Sequence, residues 1–156
     1  MIKISIPGSD DLDLHHLILD MNGTLTTDGQ LPEGVAERLE RLKSILDIYL
    51  LTADTFGTGA GVAEILGIKL FIVDADHGGA DKAKFTNTLD PSSVAAIGNG
   101  NNDVDMFKLA KLSIAIMGRE GCSVAALVNA DIAVNNINDA LDLLLNPVWM
   151  RATLRR

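Results

Sequence analysis

The amino-acid sequence predicts an α/β fold, a three-layer sandwich built on a doubly wound parallel sheet of the Rossmann-like kind. Three observations carry this expectation. Six short apolar runs are continuous rather than alternating, which suits strands covered on both faces. Stretches with helical periodicity separate them, and strand–helix alternation is the pattern of a parallel sheet. Polar, chemistry-bearing residues gather where the runs end, which is where such sheets bind ligands.

The elements follow in order. Ile2–Ile6 reads as an edge strand or hairpin, and His16–Asp20 as the first central strand. Pro32 is placed to begin a helix on which Val35, Leu39, Leu42 and Leu46 share one face. The run Ile48–Thr52 is followed by a helical stretch near 57–66, and Leu70–Asp74 by one near 81–89. In the same way Val94–Gly98 precedes 102–110, Leu112–Ile116 precedes 120–129, and Ile132–Val134 precedes 138–145. Asn138 is placed to cap the last helix, and Asn146-Pro147 to stop it. The reading is one domain over residues 1–156, with a core of about 15–145 and a C-terminal tail at 147–156 carrying Arg151, Arg155 and Arg156.

Composition narrows the function. With 47% hydrophobic residues the chain has material for a real core, and its net charge of −8 argues against nucleic acid or an anionic membrane as main partner. Cys122 is the only cysteine, which excludes a disulfide framework and a multi-cysteine metal site. No apolar run reaches the ~18 residues of a bilayer span, and the N-terminus lacks a signal-peptide pattern. The expectation is a soluble, cytoplasmic protein.

Four segments bring chemistry to one edge of the predicted sheet. Asp20 ends a strand before a glycine turn, in "LILDMNGTLT", and Thr52 ends the next, in "IYLLTAD". Lys82 follows "DADHGGA", and "AAIGNGNNDVDMF" turns through Gly98 and Gly100 toward Asn102 and Asp103. Singly, each has a plain structural reading: a cap, a turn or a solvated lysine. Together they suit a phosphoryl group. Asp20 would attack, amides of Met21, Asn22, Gly23 and Ala53 would hold its oxygens, and Thr52, Lys82 and Asn102 would bind them too. Mg²⁺ suits such a site, because it takes oxygen ligands and shares them with phosphate. His77, in the loop before Lys82, lies where it could graze a substrate.

These motifs resemble the haloacid-dehalogenase superfamily of aspartate-nucleophile phosphotransferases, and within it the phosphorylation domain of P-type ATPases. The resemblance covers roughly residues 15–145. Asp20-Met21-Asn22-Gly23-Thr24-Leu25-Thr26 matches D-K-T-G-T-L-T, and Leu51-Thr52-Ala53-Asp54 is similar to T-G-D. Asp81-Lys82 matches the lysine motif, Gly98–Asp103 matches G-D-G-x-N-D, and "SIAIMGREGCSVAALVNADIAV" continues as that domain does. The likeness implies a catalytic Asp20, Asn22, Thr52 and Lys82, and a Mg²⁺ site of Asp20, the Asn22 carbonyl, Asn99 and Asp103. Only 27 residues separate Thr24 from Thr52, where a P-type ATPase inserts its nucleotide-binding domain, so an ion pump is excluded and a capless site is expected. An open site suits a large or macromolecular phosphorylated substrate, or completion by a neighbouring subunit in a homo-oligomer.

Two residues depart from the family pattern. At Asn22 the phosphatases carry an aspartate that acts as general acid/base, while P-type ATPases carry a threonine and still form a phosphoenzyme. Its loss removes a proton carrier worth ~10²–10⁴ in rate. At Asn99 the family has an aspartate on the metal, so the amide brings one negative charge fewer. Both amides precede glycine, the setting most prone to deamidation. Two function classes remain open: a slow Mg²⁺-dependent phosphohydrolase, and a non-catalytic module on the same fold that binds phosphate, metal or a protein.

Overall fold

A computed structural model describes residues 1–55 and 57–156. Its centre is a six-stranded, all-parallel sheet of β3 (His16–Asp20), β4 (Asp47–Thr52), β5 (Lys69–Ile72), β6 (Val94–Gly98), β7 (Leu112–Ile116) and β8 (Ile132–Val134). The strand order is β5-β4-β3-β6-β7-β8. The chain thus leaves β3 toward one side and returns to its other side with β6, a topological switch beside the end of β3.

Alternate residues of each central strand feed two separate cores. Leu17 and Leu19 of β3 face one core, with Leu50, Ile97 and Ile114, and Ile18 faces the other, with Leu51, Ala96 and Ala115. The first core is closed by α1 (Val35–Lys43), α2 (Gly59–Leu66), α6 (Ile137–Leu145) and α7 (Pro147–Leu154), through Leu39, Leu66, Leu141 and Met150. The second is closed by α3 (Gly78–Thr88), α4 (Val104–Leu109) and α5 (Val124–Asn129), through Phe85, Phe107 and Ala126. Each leucine buried this way contributes roughly 1.5–3 kcal/mol, which is why the central strands carry no polar face.

For Ile2–Ile6 the hairpin alternative holds: β1 (Ile2–Ile4) pairs antiparallel with β2 (Leu12–Leu14), apart from the main sheet. Other local expectations are corrected. The first helix starts at Val35 rather than Pro32, because Gly34 before it is left-handed (φ 86°) and leaves Pro32 in the preceding turn. Asn136, not Asn138, caps α6 by accepting from the Asp139 amide at 3.0 Å, while Asn138 donates to the Glu33 carbonyl. Residues 147–154 of the expected tail form helix α7, since burying Met150 makes that turn of chain worth ordering. β5 is shorter than the run Leu70–Asp74, and as an edge strand it leaves Phe71 42% and Ile72 52% exposed.

Candidate active site

The site begins at β3, which delivers Asp20 to the carboxyl edge of the sheet between β4 and β6. There the chain turns back at once. Amides of Thr24 and Thr26 both donate to the Met21 carbonyl, and the Gly23 amide donates to the Thr26 carbonyl. Gly23 is left-handed (φ 75°), and a β-carbon there would run into the Asn99 amide. Glycine therefore serves both the turn and the approach of β6. Met21 is buried and Asn22 exposed.

Beneath this turn lies a buried ionic cluster. Lys82 is fully buried on α3, and its Nζ donates to Asp20 Oδ1 at 2.6 Å and to Asp103 Oδ1 at 2.7 Å. Asp103, also fully buried, accepts the Asn99 and Gly100 amides on its other oxygen at 2.9 and 3.0 Å. Gly98 makes this closeness feasible, because a β-carbon there would overlap the Asp103 carboxyl. One ammonium thus faces two carboxylates. Burial, and then the charge of Asp103, push the Asp20 carboxyl up to about 6, against the pull of Lys82. Burial works to lower the Lys82 pKa, but the two carboxylates outweigh it and hold it above the ordinary lysine value.

Asn99 ties the loops together. Thr24 Oγ1 donates to its Oδ1 at 3.2 Å, and its Nδ2 donates to the Gly121 carbonyl at 3.0 Å. The carbonyl can only accept, so the amide orientation follows from the network. The Asn99 carbonyl also takes the Ser123 amide at 2.8 Å. Thr24 and the loop around Gly121 are therefore site components that sequence reasoning missed. The threonine stood inside the quoted motif, whereas nothing local marked Gly121.

The other expected residues are gathered at the same edge. Thr52, buried at the end of β4, accepts the Asp54 amide on its hydroxyl at 3.1 Å and stands one strand from Asp20. Ala53 beside it is half-buried. Asn102 is exposed in the 3₁₀ turn Asn101–Asp103, against the first turn of α3. Among the described residues no hydrogen bond or ion pair links His77 to this cluster: it bonds Asp74 at 3.0 Å on the surface.

The donor set can be judged for a cation. Lys82 engages only one oxygen of Asp20, and none of the hydrogen bonds closing the turn ends on the Asn22 carbonyl. Asn99 Oδ1 offers a further neutral oxygen. Among the described residues no group of three or more His, Cys, Asp or Glu is placed to hold a metal. Asp103 is engaged on both oxygens and buried, which makes it an anchor of the loop. One carboxylate with neutral oxygens fits a hard cation that keeps most of its water, as Mg²⁺ does.

Comparison with known proteins agrees with this architecture. The family model of haloacid dehalogenase-like hydrolases matches residues 60–141, which is 82 of 156 residues and just over half the chain. The chain belongs to that family. The uncharacterized protein MJ0073 of Methanocaldococcus jannaschii is 50% identical over 62 residues, 40% of this chain and 67% of that protein. Among solved structures, the cobalt-bound deoxy-D-mannose-octulosonate 8-phosphate phosphatase of Haemophilus influenzae has a TM-score of 0.72 at 15% identity, covering 92% of this chain and 94% of that one. A phospho-aspartyl intermediate analogue of phosphoserine phosphatase has a TM-score of 0.67 at 15% identity, covering 85% and 99%. The 3-deoxy-D-manno-octulosonate 8-phosphate phosphatase of Moraxella catarrhalis, in complex with magnesium, phosphate and KDO, has a TM-score of 0.68 at 20% identity, covering 91% and 94%. The fold is that of these phosphatases. No helix among the described residues is long and apolar enough to cross a membrane.

Proposed function

We propose that this chain is a Mg²⁺-dependent phosphohydrolase or phosphotransferase that carries the phosphoryl group on Asp20, slowly for its fold. The observation that carries the reading is Lys82, a fully buried ammonium bonded at once to Asp20 and Asp103. Burying three charges is costly, and a purely structural site would be served as well by apolar side chains. A buried lysine beside a carboxylate at a strand end suits the work of neutralising a transferred phosphoryl group.

In this reading a carboxylate oxygen of Asp20 attacks phosphorus as the bond to the leaving oxygen breaks. Amides of Met21, Asn22 and Ala53, with Thr52 and Asn102, hold the phosphoryl oxygens, and Lys82 offsets their charge; the Gly23 amide, expected among them, is instead engaged by the Thr26 carbonyl and keeps the turn closed. Water then attacks the aspartyl-phosphate. Asn22 has no acidic proton, so solvent must protonate the leaving group and deprotonate the water, which slows both steps. Mg²⁺, held by Asp20, the Asn22 carbonyl and Asn99 on the loop anchored by Asp103, would neutralise phosphoryl charge when bound. The phospho-aspartyl analogue and the magnesium–phosphate complex among the structural relatives support the same chemistry. The likeness of Asp20–Thr26 to the P-type ATPase motif supports it too, since threonine replaces the acid there. Among the described residues helix α2 is the one element between β4 and β5, so the open mouth suits a large phosphorylated substrate or a site completed by a second copy.

The test is labelling by acetyl phosphate with Mg²⁺, read by intact mass. Wild-type protein should gain one acid-stable, hydroxylamine-sensitive phosphate, and Asp20→Ala none. Equal labelling of both would sink the assignment. A second reading, a non-catalytic phosphate- or protein-binding module, is favoured by the amides at Asn22 and Asn99. It predicts no label but retained binding of a phosphoryl mimic such as fluoroberyllate.

A further inference from the structure

The site holds two Asn-Gly pairs, Asn22-Gly23 and Asn99-Gly100, in opposite environments. Asparagine before glycine is chemically labile because no side chain hinders the glycine nitrogen. That nitrogen attacks the asparagine Cγ, the bond from Cγ to the amide nitrogen breaks, and ammonia leaves with the proton that the glycine nitrogen gives up. Water then opens the succinimide. Cleavage of the new Cγ–nitrogen bond yields aspartate, and cleavage of the main-chain bond yields isoaspartate. Reaction requires the side chain to swing onto the glycine nitrogen, and that nitrogen to lose its proton.

Both requirements are blocked at Asn99. Its side chain is tied at each end, to Thr24 and to the Gly121 carbonyl, and it packs against Gly23 so closely that a β-carbon there would overlap it. The Gly100 amide donates to the fully buried Asp103 carboxylate at 3.0 Å. A carboxylate there holds the proton and repels the charge that its loss would create. Asn22 is exposed, and the Gly23 amide donates only to a neutral carbonyl, that of Thr26 in the same short turn. Freeing the Gly23 nitrogen breaks that one neutral hydrogen bond, and every other backbone bond of the turn, from the Thr24, Leu25 and Thr26 amides to the Met21 and Asp20 carbonyls, is neutral too.

We infer that Asn22 is a self-modifying position of this protein, deamidating in the folded state, while the fold preserves Asn99 as an amide. The aspartate formed would stand where the proposed function lacks a general acid/base, so its functional sense rests on that reading. Its occurrence does not. The experiment ages the folded protein in mildly alkaline buffer, digests it, and quantifies aspartate and isoaspartate in the two peptides by mass spectrometry. A urea-unfolded sample serves as reference, and Asn22→Gln as a folded control. In the unfolded chain the two sites should convert at similar rates. In the folded chain Asn22 should convert about tenfold faster than Asn99 or more, since charge-assisted hydrogen bonds are roughly twice as strong as neutral ones. Asn22→Gln should show neither product at that position and should leave Asn99 intact. Equal rates in the folded protein, or an Asn22 that stays unconverted while the unfolded chain reacts, would overturn the inference. The readout is mass alone, so a failure of Asp20 phosphorylation would be seen separately.

Discussion

Replacing Lys82 by methionine keeps the length of the side chain and removes its charge. Two hydrogen bonds of 2.6 and 2.7 Å disappear, and the Asp20 and Asp103 carboxylates are left facing each other. Their side chains are 10% and 0% exposed, so water cannot replace the ammonium. Breaking a buried ion pair by removing one partner costs about 3–5 kcal/mol. At ~2–4 °C per kcal/mol for a chain of this size, melting should fall by roughly 6–20 °C. The pH dependence carries a sign. In the intact protein the Asp20 carboxyl is raised from 3.8 to about 6 in the folded state. Its contribution to stability is therefore full below the unfolded value and lost as pH rises through the folded one. Without Lys82 the folded value climbs further, so the window widens upward and the variant suffers more at about pH 7.5 than at about pH 5. Thermal melts followed by circular dichroism at both pH values, without Mg²⁺, measure the effect. A loss below ~1 kcal/mol at both, or a larger loss in acid, would refute the idea of a buried ionic cluster at the site.

Other outcomes follow from the same geometry. Mg²⁺ should bind with millimolar rather than micromolar affinity in the absence of phosphate, because one carboxylate and neutral oxygens hold it loosely; calorimetry decides, and micromolar binding contradicts the donor set. Asn22→Asp should speed breakdown of the aspartyl-phosphate by up to ~10²–10⁴ and add a new pH dependence, which single-turnover kinetics would reveal. Asn99→Asp should lower the Mg²⁺ concentration for half-maximal activity yet destabilise by about 1 kcal/mol, since its carboxylate cannot donate to Gly121; titrations and melts read the two effects apart. If neither aspartate raises turnover above the Asp20→Ala background, the slow-enzyme reading gives way to the binding module. Gly23→Ala should cost more than the ~1–2 kcal/mol of a left-handed alanine, because its β-carbon also displaces Asn99. A variant as stable as wild type would show that the turn is not packed as described.

Hydrophobic patterning is local, and what depends on it was legible early. The runs at His16–Asp20, Val94–Gly98 and Leu112–Ile116 are strands with those limits, because residues that must be apolar on both faces announce themselves within five positions. Their order made a parallel sheet the natural solution, and strand ends carrying Asp20, Thr52 and Asn99 pointed to the edge where ligands bind. Element ends were less legible. Asn138 and Pro32 have the right chemistry for helix starts, yet Asn136 and Gly34 occupy those places. A cap is chosen by where the helix packs, as much as by the residue that could perform it.

The sequence gathered Asp20, Lys82 and Asp103 at one sheet edge, but the direct bonds among them could not be read from it. Lys82 lies 62 residues from Asp20 and 21 from Asp103 along the chain, and Thr24 lies 75 from Asn99. Taken singly Lys82 is one more polar residue on a weakly amphipathic helix, and its place in the site came from the neighbouring motifs. Only the packing of α3 under the turn after β3 buries it and sets two carboxylates on its ammonium. The same packing raises Asp20 and locks Asn99 while leaving Asn22 in solvent. Residue type determined which chemistry was available. Desolvation and the identity of each partner are properties of the assembled interior, and they decided which of two identical Asn-Gly pairs is held and which is free to react.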